Sequence, residues 1–319
     1  MEAKHDSVLM NEVLENLEVC PGDVVVDGTV GGAGHFKALF ESLDASGTLI
    51  GIDADASALV RAQAVLAADT RPAAERPAVH LVEDNFRNLA AILDALKIES
   101  VDKVLLDLGW SGFQLAEGRG FSFQADEPLL MNYATAKESE SAAELLNRSS
   151  EEELSDLIFS LGEERFARSI AKAIVTRRKT ARLVTTGDLV AAIAAGTPAW
   201  YQRRRTHAAT KTFQALRIAV NDELGALRDV LTAALARTAC EGRIAVITFH
   251  SIEDRIVKSF FREAAHAGKG MLTTRKPVAP GFAEVRTNRR ARSAKLRVFE
   301  VGALAHDEES LSTDTHAYA

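Results

Sequence analysis

Only two cysteines occur in this chain of 319 residues, Cys20 and Cys240, far apart and without the spacing of metal ligands. That leaves both a disulfide framework and a zinc site without support. No apolar run approaches the roughly eighteen residues of a membrane-spanning helix. The opening stretch MEAKHDSVLMNEV has no signal-peptide core, so a cytoplasmic protein is expected. Excess positive charge is lacking as well: 38 Lys and Arg stand against 45 Asp and Glu, a net charge of −7. Such a balance argues against indiscriminate coating of nucleic acid, although basic residues that cluster locally can still build a binding surface. The G-x-G-x-x-G fingerprint of dinucleotide sites is also missing, which disfavours a nicotinamide dehydrogenase without excluding it.

The hydrophobic content, 47%, is enough to bury an α/β core and a smaller second domain. The chain is organised around VVVDGTVGGAGH at 24–35. Three β-branched residues run into Asp27 and then into Gly28, Gly31, Gly32 and Gly34, as a buried parallel strand does when it ends in a tight turn beneath a ligand. These glycines are expected to adopt positive φ or to let the backbone approach the ligand, with a helix starting near His35 and Phe36. TLIGIDAD at 48–55 is a second apolar run ending in a carboxylate, Asp53, nineteen residues after Gly34. A carboxylate at that offset can accept both hydroxyl hydrogens of a ribose, and Asp55 is then the cap of the following helix.

A helical stripe over 5–19 is expected to pack beside the first strand. A third strand, 78–82, leads into Asn85 and Phe86, the latter placed to face an adenine ring or to belong to the core. A fourth, KVLLDL at 103–108, carries Asp107 at its end. Three strand ends with carboxylates, and a fourth leading into Asn85-Phe86, point to one crevice at the carboxyl edge of a parallel sheet. The glycine- and aromatic-rich WSGFQLAEGRGFSF at 110–123 reads as a lid over it rather than a mere connection.

From about residue 134 the pattern becomes helical, with helices expected over 142–146, 151–161, 164–176 and 186–195, and Ser150 and Thr186 as caps. Strand-like sequence returns only at 242–249, so these helices read as an insertion between the fourth and fifth strands. The division expected is a first core part at 1–133, a helical, substrate-recognising insertion at 134–206, a second core part at 207–301 and a disordered tail at 302–319. Arg177, Arg178, Lys179, Arg182, Arg203, Arg204, Arg205, His207 and Lys211 are either a solvated helical surface or a phosphate-binding one. One long helix is expected over 210–236. In HSIED, Ser251 and Asp254 read as a capping box, and His250 just before it is a site residue or a structural histidine. LRVFEV at 296–301 reads as an edge strand, with Arg289, Arg290, Arg292, Lys295 and Arg297 supplying positive charge nearby.

The blocks HDSVLMNEVL, VDGTVGGAGH, IDAD, DLGWSGFQL, RGFSF, GEERFARSIA, ATKTFQALRIAVNDEL, TFHSIEDRIVK and RARSAKLRV, from His5 to about Val301, resemble the bacterial 16S ribosomal-RNA cytosine N4-methyltransferase family. That resemblance implies a class I, Rossmann-like methyltransferase sheet with an inserted helical domain, acting on cytosine 1402 in the decoding region of the small-subunit RNA. It also implies S-adenosylmethionine as cofactor, bound at the positions of Ala33, Gly34, His35, Asp53, Phe86, Asp107 and Gln114. Asp107 is then a candidate either to accept the N–H bonds of the cytosine amine or to hold the methionine end of the cofactor. Ser111 and His250 are further candidates for orienting the base, while Arg203, Arg204, Arg205, Lys211, Arg289, Arg290 and Arg292 are candidates for RNA contact.

This chain departs from the family's usual residues at several places. Ser7 replaces a proline, Ala33 a glycine and Phe36 a serine. Trp110-Ser111-Gly112-Phe113 stands for V-S-S-P, and PLLMNYA at 128–134 for P-L-D-M-R-M-D. The losses at Leu130 and Asn132 favour a second expectation, a catalytically weakened or retargeted RNA-binding assembly factor that still binds the cofactor.

Overall fold

The structure, a computed structural model, describes residues 7–109, 118–133 and 140–302. Ser111, Gln114, the first part of the expected lid and the expected tail beyond Gly302 lie outside those residues. Strands β1 (Val24–Asp27), β2 (Thr48–Asp53), β3 (Ala78–Glu83), β4 (Val101–Asp107), β5 (Thr238–Thr248), β6 (Gly270–Leu272) and β7 (Lys295–Val301) form one sheet in the order β3-β2-β1-β4-β5-β7-β6. The first five run parallel, and β7 is antiparallel to both β5 and β6. LRVFEV is therefore an interior strand; the edge is the three-residue β6, which the hydrophobic pattern did not reveal.

Helices cover both faces, which is why the central strands are unbroken apolar runs with no alternation. Val25, Leu49 and Leu105 point into one buried cluster with α1 (Met10–Leu17), α2 (Gly34–Ser42) and α3 (Ala56–Ala68). Val26, Ile50, Val104 and Leu106 point into the other, with α4 (Leu89–Leu96). Each fully buried Leu, Ile or Phe here contributes about 1.5–3 kcal/mol. α1 lies against β5 and β7, not beside β1, and Arg243 of β5 donates to the carbonyl of Asn16 at 2.8 Å.

Between β4 and β5 the chain forms α5 (Ala142–Arg148), α6 (Glu151–Gly162), α7 (Ala167–Arg178), α8 (Thr186–Gly196), α9 (Ala199–Gln202), α10 (Thr210–Val220) and α11 (Glu223–Arg237). Ser150 caps α6 through a capping box with Glu153, whereas α8 is capped by Thr185 and not Thr186, with Asp188 as its partner. The expected long helix is two: the chain turns at Asn221 and at Asp222, whose φ is 44°. α11 faces the second sheet cluster, while α10 completes a third apolar cluster of inserted helices that includes Leu146, Ile158, Ile174, Ile193 and Leu216. Leu129 and Met131 belong to this cluster too, and the Leu129 N–H donates to the carbonyl of Val184 at 3.0 Å. α12 (Ser251–His266) and a short α13 (Phe282–Thr287) complete the second half. Among the described residues no helix is long and apolar enough to cross a membrane.

Candidate functional site

Because β1 pairs with β2 on one side and β4 on the other, the strand order reverses there, and a doubly wound sheet opens its crevice at that reversal. A hollow with about 870 Å³ of space, part of it open to solvent, occupies it. The strand ends meet around it as the sequence implied: Gly28 to Gly32 follow β1, Asp53 ends β2 with Ala54 after it, Asn85 and Phe86 follow β3, and Asp107 ends β4 with Leu108 and Gly109 after it.

The glycine loop works differently from the expectation. Among its glycines only Gly31 has positive φ, at 48°, while Gly28 stays in the sheet with its N–H donating to the carbonyl of Leu105 at 2.9 Å. Gly34 is needed for space, since a Cβ there would meet the Ser7 hydroxyl at 2.1 Å. The other left-handed residue is Ala33, at φ 60°, where an L side chain costs about 1–2 kcal/mol and glycine costs little. Its methyl group is buried in the sheet core behind the wall of the hollow.

Asp53 braces this loop. It accepts from the Gly31 N–H at 2.8 Å and the Asp55 N–H at 2.9 Å, and burial, offset in part by these bonds, raises its pKa to about 6. Asp55 caps α3 by accepting from the Ser57 N–H at 3.0 Å, and also takes Arg119 at 2.9 Å. Arg119 in turn donates to the carbonyls of Asn132 and Tyr133, tying that segment to the β2 end. His35 is buried, with Nε2 3.1 Å from the carbonyl of Val8 and 3.7 Å from Asp107 Oδ2.

Asp107 is only partly satisfied among the described residues. Its N–H donates to the Thr29 hydroxyl at 2.7 Å, but its buried Oδ1 has no hydrogen-bond partner among the described residues. Burial first, and then the charge of Asp27, raise its pKa to about 7 against the opposing charge of Arg290. Asp27, fully buried beneath the loop, is also raised to about 7, chiefly by burial. A buried acceptor without a donor is costly, and groups of this kind gather at binding sites.

A second hollow, of about 1020 Å³, adjoins the first at Leu108, Gly109, Phe249 and Arg290. Its walls join the sheet to the inserted helices: Phe121, Phe123, Phe213 and Phe249 are aromatic, and Arg217, His250 and Arg289 are polar. Phe121 stacks on Tyr133 at 5.5 Å between centroids, so the described part of the expected lid is a wall between the hollows.

Beside it lies an ion network that the sequence did not reveal. Arg217 makes two bonds to Glu223, at 2.8 and 2.9 Å, and Tyr133 donates its hydroxyl to the same carboxylate at 2.9 Å. His250 Nε2 stands 3.0 Å from Glu253, which also accepts from the Phe249 N–H at 2.9 Å. Burial works to raise the Glu253 pKa, but His250, Arg217 and that N–H outweigh it and hold it low. Glu223, His250 and Glu253 each bring a donor atom within 4.8 Å of the others, yet Arg217 already supplies the positive charge there. His250 is also the N-cap of α12, with Glu253 as its capping-box partner, so the box is one residue earlier than Ser251 and Asp254. Asp254 instead pairs with Lys295 at 2.8 Å and Arg297 at 2.7 Å.

The basic residues divide. Arg177 pairs with Asp188 at 2.6 Å, and Arg178 donates to the carbonyls of Leu146 and Ser149, so both hold the insertion together. Lys211 donates to the carbonyl of Glu163 at 2.6 Å. Arg290 lines both hollows, Arg289 lines the second, and Arg203, Arg204, Arg205 and Arg292 are exposed.

The profile of the MraW methylase family matches residues 2–302. A protein named Ribosomal RNA small subunit methyltransferase H from Brevibacillus brevis is 42% identical over 312 residues, covering 93% of this chain and 97% of that protein. One of the same name from Deinococcus radiodurans is 46% identical over 300 residues, covering 93% of this chain and 89% of that protein. Among solved structures, an rRNA methylase from Streptococcus thermophilus aligns at 10% identity with a TM-score of 0.40, covering 92% of this chain and 93% of that one.

Proposed function

This chain belongs to the MraW methylase family, and from that premise we propose that it moves a methyl group from S-adenosylmethionine to the exocyclic N4 of a cytidine in small-subunit ribosomal RNA, in the decoding region. The observation that carries the reading is the buried Asp107 Oδ1 on the wall of the first hollow, without a hydrogen-bond partner among the described residues and next in the chain to Leu108 and Gly109, which line both hollows. S-adenosylmethionine supplies a methyl group on a sulfonium, which an amine nitrogen takes up with loss of one proton while the cofactor departs as a thioether.

The residues that line the first hollow suit that cofactor. Asp53 is placed for the ribose hydroxyls, Phe86 for the adenine face, and the Gly31-Gly32 loop for close backbone approach to the methionine end. The target base belongs in the aromatic second hollow, reached by a nucleotide that is single-stranded or turned out of its helix. Asp107, on the wall of the first hollow beside the residues that both hollows share, accepts an N–H of the amine, localising a lone pair that the ring otherwise withdraws and stabilising the positive charge that develops.

The test is nucleoside mass spectrometry of unmodified small-subunit RNA incubated with the chain and S-adenosylmethionine. N4-methylcytidine is expected; its absence, with the RNA still bound, supports the assembly-factor reading favoured by Leu130 and Asn132. A second expectation concerns the cofactor alone. Asp53→Ala should weaken its binding about tenfold or more, the size of hydrogen bonds to a charged group. Unchanged affinity by calorimetry would remove Asp53 from the ribose site.

A further inference from the structure

The inserted helices carry an aromatic and arginine cluster that neither hollow uses. Trp200 of α9 is 55% exposed, although a large ring normally buries most of its surface. It meets Tyr201 at 5.8 Å and Phe166 at 6.0 Å between centroids, both edge to face. The Arg165 guanidinium lies 4.6 Å from its ring centroid, a cation–π contact. Beneath it the base is firm: the buried Tyr201 donates its hydroxyl to Glu164 at 2.6 Å, and Arg204 lies 5.3 Å from the Tyr201 ring. A rigid support thus presents a Trp ring to solvent beside a cation.

The neighbourhood points to what that ring meets. Arg203, Arg204 and Arg205 follow at once and are exposed. The chain then reaches His207, stacked on Phe123 at 4.6 Å, and Phe123 is a wall of the second hollow. Seven residues from Trp200 to His207 reach at most about 25 Å even if fully extended. The ring therefore lies within a few nucleotides' reach of the hollow assigned to the target base.

We propose that Trp200, with Arg165 and the three arginines after it, is a stacking platform for one unpaired nucleobase of the RNA, a short way along the strand from the methylated nucleotide. The proposal rests on the RNA reading above. Every base has a face that stacks on an indole, so the contact tolerates sequence but requires a base free of its helix. The arginines neutralise the phosphates on either side and set the register of the strand. Stacking and charge then make separable contributions, the first insensitive to salt and the second governed by it.

The experiment measures anisotropy of a labelled single-stranded oligoribonucleotide from the decoding region against the full chain, over a range of salt, with methylation of the same RNA scored in parallel. Trp200→Ala and Trp200→Leu are expected to raise Kd about 5- to 100-fold, the span of one base–aromatic stack, with the salt slope unchanged; Trp200→Phe should recover most of the loss. Replacing Arg203, Arg204 and Arg205 together with Ala should lower the slope by about 2. A Kd within twofold of wild type for the Leu variant overturns the platform, as does an equal loss on a fully paired duplex or a Phe variant no better than Leu. Trp200-dependent binding without methylation would overturn the enzymatic reading and leave the platform standing. Methylation with binding indifferent to Trp200 would do the reverse.

Discussion

Asp107→Asn is expected to slow methyl transfer about 10²- to 10³-fold, the size of losing one preorganised partner to developing charge, and to remove the Asp107 contribution to the acid limb of the pH profile. Burial and then Asp27 raise the Asp107 pKa to about 7, and only the ionised form accepts from the amine through both oxygens. The value of kcat/KM for the cofactor reports the free enzyme, so it should fall roughly tenfold per unit as pH drops below about 7. Once a sulfonium is bound its charge favours the carboxylate, so the limb in kcat should lie at lower pH. The Asn variant loses the Asp107 titration, and any limb it keeps is that of Asp27 or Asp53. Cofactor affinity separates the two roles of this residue. A fall in kcat with affinity held places Asp107 on the target amine; lost affinity with kcat held places it on the methionine end. A wild-type profile flat to about pH 6, or an Asn variant within threefold of wild type, would end its part in the chemistry.

The same elevation has an opposite consequence for the ligand-free fold. Asp27 and Asp107 hold their protons in the folded chain to about pH 7, whereas their ordinary value is 3.8. Between those values the unfolded chain binds fewer protons, so these two groups favour folding at low pH and lose that contribution as pH rises toward 7. A cation bound in the first hollow works against the loss. This is a site held at some cost to stability until it is filled.

What could be read from the sequence was whatever a strand or a turn states locally. β1, β2 and β4 announce themselves as apolar runs closed by Asp27, Asp53 and Asp107, and the sheet brings those ends together because parallel strands share a carboxyl edge. Partners chosen in three dimensions were not legible. β6 has three residues and exists because Gly270 to Leu272 pair with β7, too short a stretch to show a period. The break between α10 and α11 follows from Asn221, which donates to the carbonyl of Met131 at 2.7 Å and accepts from the Tyr133 N–H, ninety and eighty-eight residues earlier. The capping box moved to His250 and Glu253 because Asp254 is taken by Lys295 and Arg297 of β7. Charge was the least legible property: Arg177 and Arg178 look like the exposed Arg203 to Arg205 in sequence, and only folding sends the first two to Asp188 and to helix-end carbonyls.

Arg217 shows how far such a hidden partner reaches, and its removal should produce the largest loss of stability. The side chain is nearly buried at the end of α10, both of its bonded nitrogens go to Glu223 at the start of α11, and Glu253 lies near enough to feel its charge. Arg217→Ala leaves Glu223 and Glu253, two largely buried carboxylates, without the cation between them, and breaking a pair of this kind costs about 3–5 kcal/mol. Arg217→Lys keeps the charge but not the fork, so it should recover only part of the loss. Arg217→Met combined with Glu223→Met removes both charges and should be more stable than the Ala variant. Denaturant unfolding of the ligand-free chain ranks the three, and a midpoint for Arg217→Ala that implies a loss under about 1 kcal/mol would show that solvent already screens the network. The Met pair also separates scaffold from site. Arg217 lines the second hollow and Glu223 holds the Tyr133 hydroxyl on the wall of the first, so regained stability should come without regained methyl transfer.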